Sequence, residues 1–473
     1  MNNNKETQIL IISLIATLGI VALGIGIFRD KIFSGQNSTQ TGQNSTTGNT
    51  KTEADNNIIF TTGEKELIKT TDAKTKGITA FASDNYEEAR NQFEISLKQQ
   101  KNDPEALIYL NNSRIGKNDS YTIAVIAPVS SKPNEAPEIL RGIAQGQNNI
   151  NNSPQKINGK YLKILIVDEG NNAKKAEQAA NLLIEKKEVL GVVGHYSSGV
   201  TLAAGKIYQS NKLVAISPTS TSVKLSGFGN FIFRTTPSDQ FAGNALAIHS
   251  IKKLNKGKAV IFYDSTSDYS KSLKSVFTTG LYGDGGEVIT EFDLHDTNFN
   301  AFNSLQKAKQ RGANIIMLIP SSDQPILDKA LKVAKANEER LPILAGDDFY
   351  SNDILQSGGR DLRRTVVAIA WHIKAHNNAP FVMEARQLWG ADINWRTVTS
   401  YDATQAFITA LKTNPNPTRE NVQQTLANSD FNAPGATSEV HFLPSGDRNQ
   451  KAQLVKVVPV QSSTSGYEFS PIP

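Results

Sequence analysis

Two neighbouring stretches carry the residues best suited to hold a small charged ligand. The first is Gly194-His195-Tyr196-Ser197-Ser198-Gly199, which follows an apolar run ending at Val193 and leads into a segment bearing Ala203, Ala204 and Ile207. Glycines let backbone approach a ligand closely, and serine hydroxyls with the free amides of a helix N-terminus make a site for a carboxylate or similar anion. Taken alone, a serine-rich helix start is more often just a cap. The second stretch repeats the theme, since Leu213-Val214-Ala215-Ile216-Ser217 runs into Pro218-Thr219-Ser220-Thr221-Ser222. Two adjacent strand ends that both present hydroxyls are harder to explain as capping.

Catalytic patterns are weak by comparison. His372 and His376 stand four apart, as on one helix face, but no glutamate follows His372 as a zinc hydrolase needs, and neutral structural histidines are expected. Neither a Gly-x-Ser-x-Gly nucleophile elbow nor a phosphate or dinucleotide glycine loop follows the strands. The chain has no cysteine, which excludes disulfides, thiolate chemistry and lipid attachment through an N-terminal cysteine. No enzyme, metal or cofactor is expected.

The elements that must position these loops alternate regularly from Tyr121 onward. Strands are expected at 122–127, 162–167, 189–193, 213–217, 259–263, 315–319, 343–345 and 366–370. Amphipathic helices lie between them, such as 173–186 and 302–310. Continuous apolar strands with crossover helices predict α/β architecture with parallel sheets covered on both faces. More than 300 such residues exceed one sheet, so two doubly wound lobes are expected, with ligand sites beyond the C-terminal strand ends.

At 473 residues, and at about 150 residues per domain, the chain suggests roughly three folding units. Hydrophobic residues at 38%, charged residues at 20% and a mean hydropathy of −0.35 exclude a polytopic membrane protein. The 50 basic and 45 acidic residues form no dense Lys/Arg block, so nucleic acid is not an expected partner. Residues 9–28 are apolar or small and long enough for an uncleaved, single-pass membrane anchor within 1–32. Residues 33–60 are expected to be a flexible linker, rich in Gly, Ser, Thr, Asn and Gln.

Residues 61–117 read as helices broken at Ser83-Asp84-Asn85 and at Asn102-Asp103-Pro104. Gly77, Tyr86, Ala89, Phe93 and Pro104 resemble one tetratricopeptide repeat, with the proline a few residues late. Such arrays usually need three or more repeats. A helical cap on the next domain and a protein-binding role are both open.

The chain from Tyr121 to about Pro459 resembles the type I periplasmic binding proteins, in the branched-chain amino acid receptor group of ABC importers. The resemblance rests on Ile126-Ala127-Pro128, Arg141-Gly142-Ile143-Ala144, Gly194 to Ser198 and Ser217 to Thr221. It continues through Phe233 to Asp239, Gly346-Asp347 before Phe349, Tyr401-Asp402-Ala403 and Phe442 to Arg448. It implies two hinged lobes, about 121–238 with 365–440 and 239–364 with 441–462. It implies an amino acid or related small molecule held between them for an ABC permease, with the domain in the periplasm. By the same resemblance Ser197, Ser198, Ser220 and Thr221 hold the ligand carboxylate, Asp347 meets its ammonium and Tyr269 closes over it, with Tyr196 and Thr219 as further candidates. Asp348 is an extra acid, belonging either to the pocket or to solvent. Where the family often adds a tyrosine, this chain has Pro320-Ser321-Ser322-Asp323. Amides, urea-like molecules, short peptides and aromatic acids therefore stay open as ligands, as does a sensor or scaffold that uses the helices to bind another protein.

Overall fold

Why the chain makes two sheets is visible in its strands: Ile315–Ile319 and Ile343–Ala345 are buried at every residue, as a strand covered on both faces must be. The computed structural model describes residues 58–472. The first sheet contains β1 (Ile59–Thr61), β2 (Ser120–Ile126), β3 (Tyr161–Asp168), β4 (Val189–Val193), β5 (Ala215–Ser217) and β6 (Ile232–Arg234), in the order β1-β3-β2-β4-β5-β6. The second contains β7 (Lys258–Tyr263), β8 (Glu287–Asp293), β9 (Ile315–Ile319), β10 (Ile343–Ala345), β11 (Val366–Ile369), β12 (Gln453–Pro459) and β13 (Tyr467–Pro471), in the order β13-β12-β11-β10-β9-β7-β8. Only β1, β12 and β13 pair antiparallel.

Without those three strands the sheets share one topology, β3-β2-β4-β5-β6 and β8-β7-β9-β10-β11. Strand order reverses beside β2 in one and beside β7 in the other. Open α/β sheets bind ligands at such reversal points, beyond the strand C-termini. The crossover helices fit their places by pattern and cap. The Asn172 side chain accepts the Lys175 amide to open Ala173–Glu185, whose Ala176, Ala179, Ala180 and Leu183 are buried.

The lobe boundaries differ from expectation at the returns. β11 pairs with β10, so residues 366–369 belong to the second lobe and the chain crosses back only after Ile369. Residues 441–448 stay with the first lobe, where Gly446 O accepts the Arg234 amide and Asp447 pairs with buried Arg234 at 2.6 Å. The second lobe is completed by β12 and β13.

Residues 61–117 form three helices, Asp72–Ala82, Tyr86–Gln99 and Pro104–Ile115. Gly77 lets the first two touch, because a Cβ there would lie 2.7 Å from the buried Phe93 ring. The third helix is buried along nearly its whole length. Its Asn112 amide donates to Thr62 O and Ile164 O and accepts from Ile164 N–H and Gln147 Nε2, which satisfies that amide fully against β3. Ile59 and Phe60, expected in the linker, instead pair with β3 in β1 and cover its edge. The membrane anchor expected at 9–28 and most of the linker lie outside the described residues. Among the described residues no helix is long and apolar enough to cross a membrane.

Candidate ligand-binding cleft

The loops that follow β3, β4, β5, β7, β9 and β10 converge on one cavity of about 390 Å³ between the lobes. Its first-lobe wall is the start of the helix Ser198–Ser210. First-turn amides of a helix have no acceptor within it, and the cap residue supplies none, since Ser197 Oγ donates to Asn171 Oδ1 at 2.7 Å. The amides beside Ser198, Gly199 and Val200 thus border the cavity as anion donors.

The β4 loop is fixed from behind by buried His195, whose ring nitrogens lie 3.3 Å from Glu169 Oε1 and 3.0 Å from Tyr208 Oη. It is stitched to the β5 loop by hydroxyls. Thr219 Oγ1 donates to Tyr196 O at 2.7 Å, and Ser220 Oγ lies 2.7 Å from Thr201 Oγ1 and 3.2 Å from Tyr196 O. Ser220 therefore departs from its expected place: it ties two loops together and is not part of the cavity lining. Tyr196, Ser197, Ser198, Thr219, Thr221, Tyr269, Asp347 and Asp348 all line the cavity.

The second-lobe wall is acidic. Asp347 and Asp348 follow Gly346, where a Cβ would come within 2.1 Å of Tyr269 Oη, so only glycine lets the tyrosine cross that loop. Tyr269 Oη accepts the Asp348 amide at 3.4 Å. Enclosure by protein raises the Asp347 carboxyl above the usual carboxylate range, opposed by the Tyr269 phenol and the Arg396 charge. Asp348 is raised in the same sense, by burial first and by the Asp347 charge next. Behind them Asp239, buried and with Oδ2 unpaired, is pushed up to about 7 by burial.

Sequence reasoning missed Trp395 and Arg396, which also line the cavity from the start of the helix Trp395–Lys412. That helix crosses Glu135–Asn152 closely enough that a Cβ on Gly142 would lie 2.1 Å from Thr397 O. Nothing in the residues around Trp395 marks them for a site; the crossing brings them there.

Five cavity-lining side chains are buried with a polar atom that has no hydrogen-bond partner among the described residues: Tyr196 Oη, Thr221 Oγ1, Ser321 Oγ, Trp395 Nε1 and Arg396 Nε. Buried polar groups are normally paired, so these five call for partners that the described residues do not supply. Both rims are bridged across the lobes, by Lys132 Nζ to Ser322 O at 2.6 Å and Asn134 to Asp353 at 2.7 Å, and by Lys224 to Asp268 at 2.7 Å.

His372 and His376 have other work. His372 Nδ1 accepts the Lys374 amide at 3.3 Å, and His376 stacks on Trp371 at 5.5 Å.

A family model described as periplasmic binding protein matches residues 120–464. The chain belongs to that family. Among its relatives, an amino acid binding protein of Pseudomonas aeruginosa is 27% identical over 237 residues, 47% of this chain and 62% of the other. The Leu/Ile/Val-binding protein homolog 1 of Brucella suis biovar 1 is 25% identical over 269 residues, 54% of this chain and 68% of the other. The matches thus span about two thirds of these relatives' length. Among solved structures, a leucine binding protein of Thermotoga maritima shares the fold with a TM-score of 0.64 at 22% identity, covering 74% of this chain and 97% of that one. A solute binding protein of R. palustris in complex with 4-hydroxybenzoate does so with a TM-score of 0.65 at 16% identity, covering 75% and 96%. Periplasmic binding proteins of this type have two parallel-sheet lobes, as this chain does.

Proposed function

We propose that this protein is an extracytoplasmic receptor that traps an amino acid or a closely related small molecule between its lobes and presents it to an ABC-type importer. The observation that carries the proposal is the inter-lobe cavity whose lining holds a helix N-terminus and Thr221 together with acidic Asp347. A zwitterion needs donors at its carboxylate and an anion at its ammonium, and charge-assisted bonds are the strong ones. Ser198, Thr221, Tyr269 and Asp347 are the residues we assign to ligand binding, with Tyr196, Ser197, Thr219 and Asp348 beside them. Relatives named for amino acid and Leu/Ile/Val binding support the class of ligand. Residues 9–28 would tether the receptor to the outer face of the cytoplasmic membrane.

The tetratricopeptide-like helices we assign to a cap rather than to a free protein-binding module, because the third is buried against the first sheet. Thermal melting across a library of amino acids, amides and aromatic acids tests the proposal, since a ligand that binds only the folded form raises the melting point. A shift of several degrees with one group of amino acids, lost in Asp347→Ala, is expected. No shift with any amino acid would refute it.

A further inference from the structure

Arg396 is the cleft residue to which the zwitterion leaves no role. It is 4% exposed, and among the described residues its Nε has no acceptor. A cation so enclosed is costly unless paired and hydrogen-bonded. Tyr196, Glu135, Asp348 and Asp347 surround it as negative or potentially negative neighbours. None of them takes the Nε proton. The preceding residue, Trp395, is 2% exposed and its Nε1 is equally without an acceptor.

Both groups are donors only, so neither satisfies the other or a ligand ammonium. They demand an acceptor oxygen. Tyr196 Oη and Ser321 Oγ, also unpaired, share the same lining. The donors are held rigidly, because the Arg396 guanidinium lies 4.4 Å over the Trp395 ring and their helix is seated at Gly142. A second cavity of about 660 Å³ also has Arg396 in its lining. Of the residues around the first cavity only Ala173 and Val200 are aliphatic. Apart from the Tyr196, Tyr269 and Trp395 rings the rest is polar, so a leucine side chain would leave the Trp395 and Arg396 donors without an acceptor.

Building on the amino-acid reading, we propose that the cleft selects an amino acid whose side chain ends in a carboxylate or carboxamide, and that Trp395 and Arg396 read that terminal oxygen. Sites built to hydrogen-bond a ligand group reject analogues that lack it, because their own buried donors are then left unpaired. Relatives named for leucine, isoleucine and valine would differ from this chain in that preference.

Calorimetric titration with glutamate, glutamine, methionine and leucine tests this on the full chain and on Trp395→Phe and Arg396→Met. The unsubstituted protein is expected to bind glutamate or glutamine at least about tenfold tighter than methionine or leucine. Each substitution is expected to reduce that ratio by about tenfold, with Arg396→Lys recovering part of it for glutamate. Methionine or leucine binding as tightly as the polar pair, before any substitution is made, would overturn the selectivity and leave the amino-acid receptor standing. A ratio unchanged in both variants would remove Trp395 and Arg396 from it. If no amino acid binds at all, the receptor reading falls and this inference with it.

Discussion

Asp239 is a buried carboxyl whose affinity for protons should be measurable in the protein's stability. Burial raises it from 3.8 to about 7, so between those pH values the folded chain holds a proton that the unfolded chain has released. Stability of the ligand-free protein then falls as pH rises through that window, at up to about 1.4 kcal/mol per pH unit. Asp347 and Asp348 are raised in the same direction and add to the slope. Urea denaturation from pH 4 to 8 should show the decline, and Asp239→Asn should make it shallower; a slope that Asp239→Asn leaves unchanged would remove Asp239 as a source of it. Asp347→Asn is expected to weaken ligand binding by about 2 kcal/mol or more, roughly thirtyfold, because it removes the charge proposed to meet the ammonium. At this scale the hydroxyl-rich loops were legible, since serines and threonines after apolar runs are local signals. Ser220 was not, because whether a hydroxyl faces the cavity or a neighbouring loop depends on how two strand ends pack. Arg396 carries no local signal at all.

Among the elements, the buried parallel strands were the easiest to read. Val189–Val193, Ile315–Ile319 and Ile343–Ala345 match their expected limits because continuous apolar runs mark them. β1, β6, β8, β12 and β13 escaped notice because strands at or beside a sheet edge are short or only half covered; β8 has no fully buried residue. The Arg141-Gly142 pair was visible as a motif, but its reason is a contact. Arg141 Nε donates to Asn102 Oδ1 at 2.6 Å, joining the N-terminal helices to the first lobe, and Gly142 admits the Trp395 helix. Gly142→Ala is therefore expected to cost about 1–3 kcal/mol in chemical denaturation, the range for overpacking a close contact. It should also weaken ligand binding, because it displaces Arg396 and Trp395. A fully stable Gly142→Ala variant would show that the two helices do not press together there.

At the scale of the molecule, the N-terminal helices and the first sheet behave as one body. Lys74 is fully buried between Asp103 and Glu105, and Glu105 in turn accepts the Leu67 and Ile68 amides, so the cap is internally satisfied as well as docked. Deleting residues 58–117 would strip β1 from β3 and uncover Asn112's partners on that strand. The truncated chain is expected to aggregate or melt far below the parent, by size exclusion and circular dichroism. A well-folded product would instead mark the helices as an independent module.

The bridges at Lys132 and Lys224 join the lobes beside the cavity, and a structure determined with the best-binding amino acid tests the proposed receptor directly. The ligand should lie between the Ser198–Val200 amides with Thr221 on one side and Asp347 on the other, with its side-chain oxygen at Arg396. Density for that ligand elsewhere, with this cavity holding only water, would contradict the account.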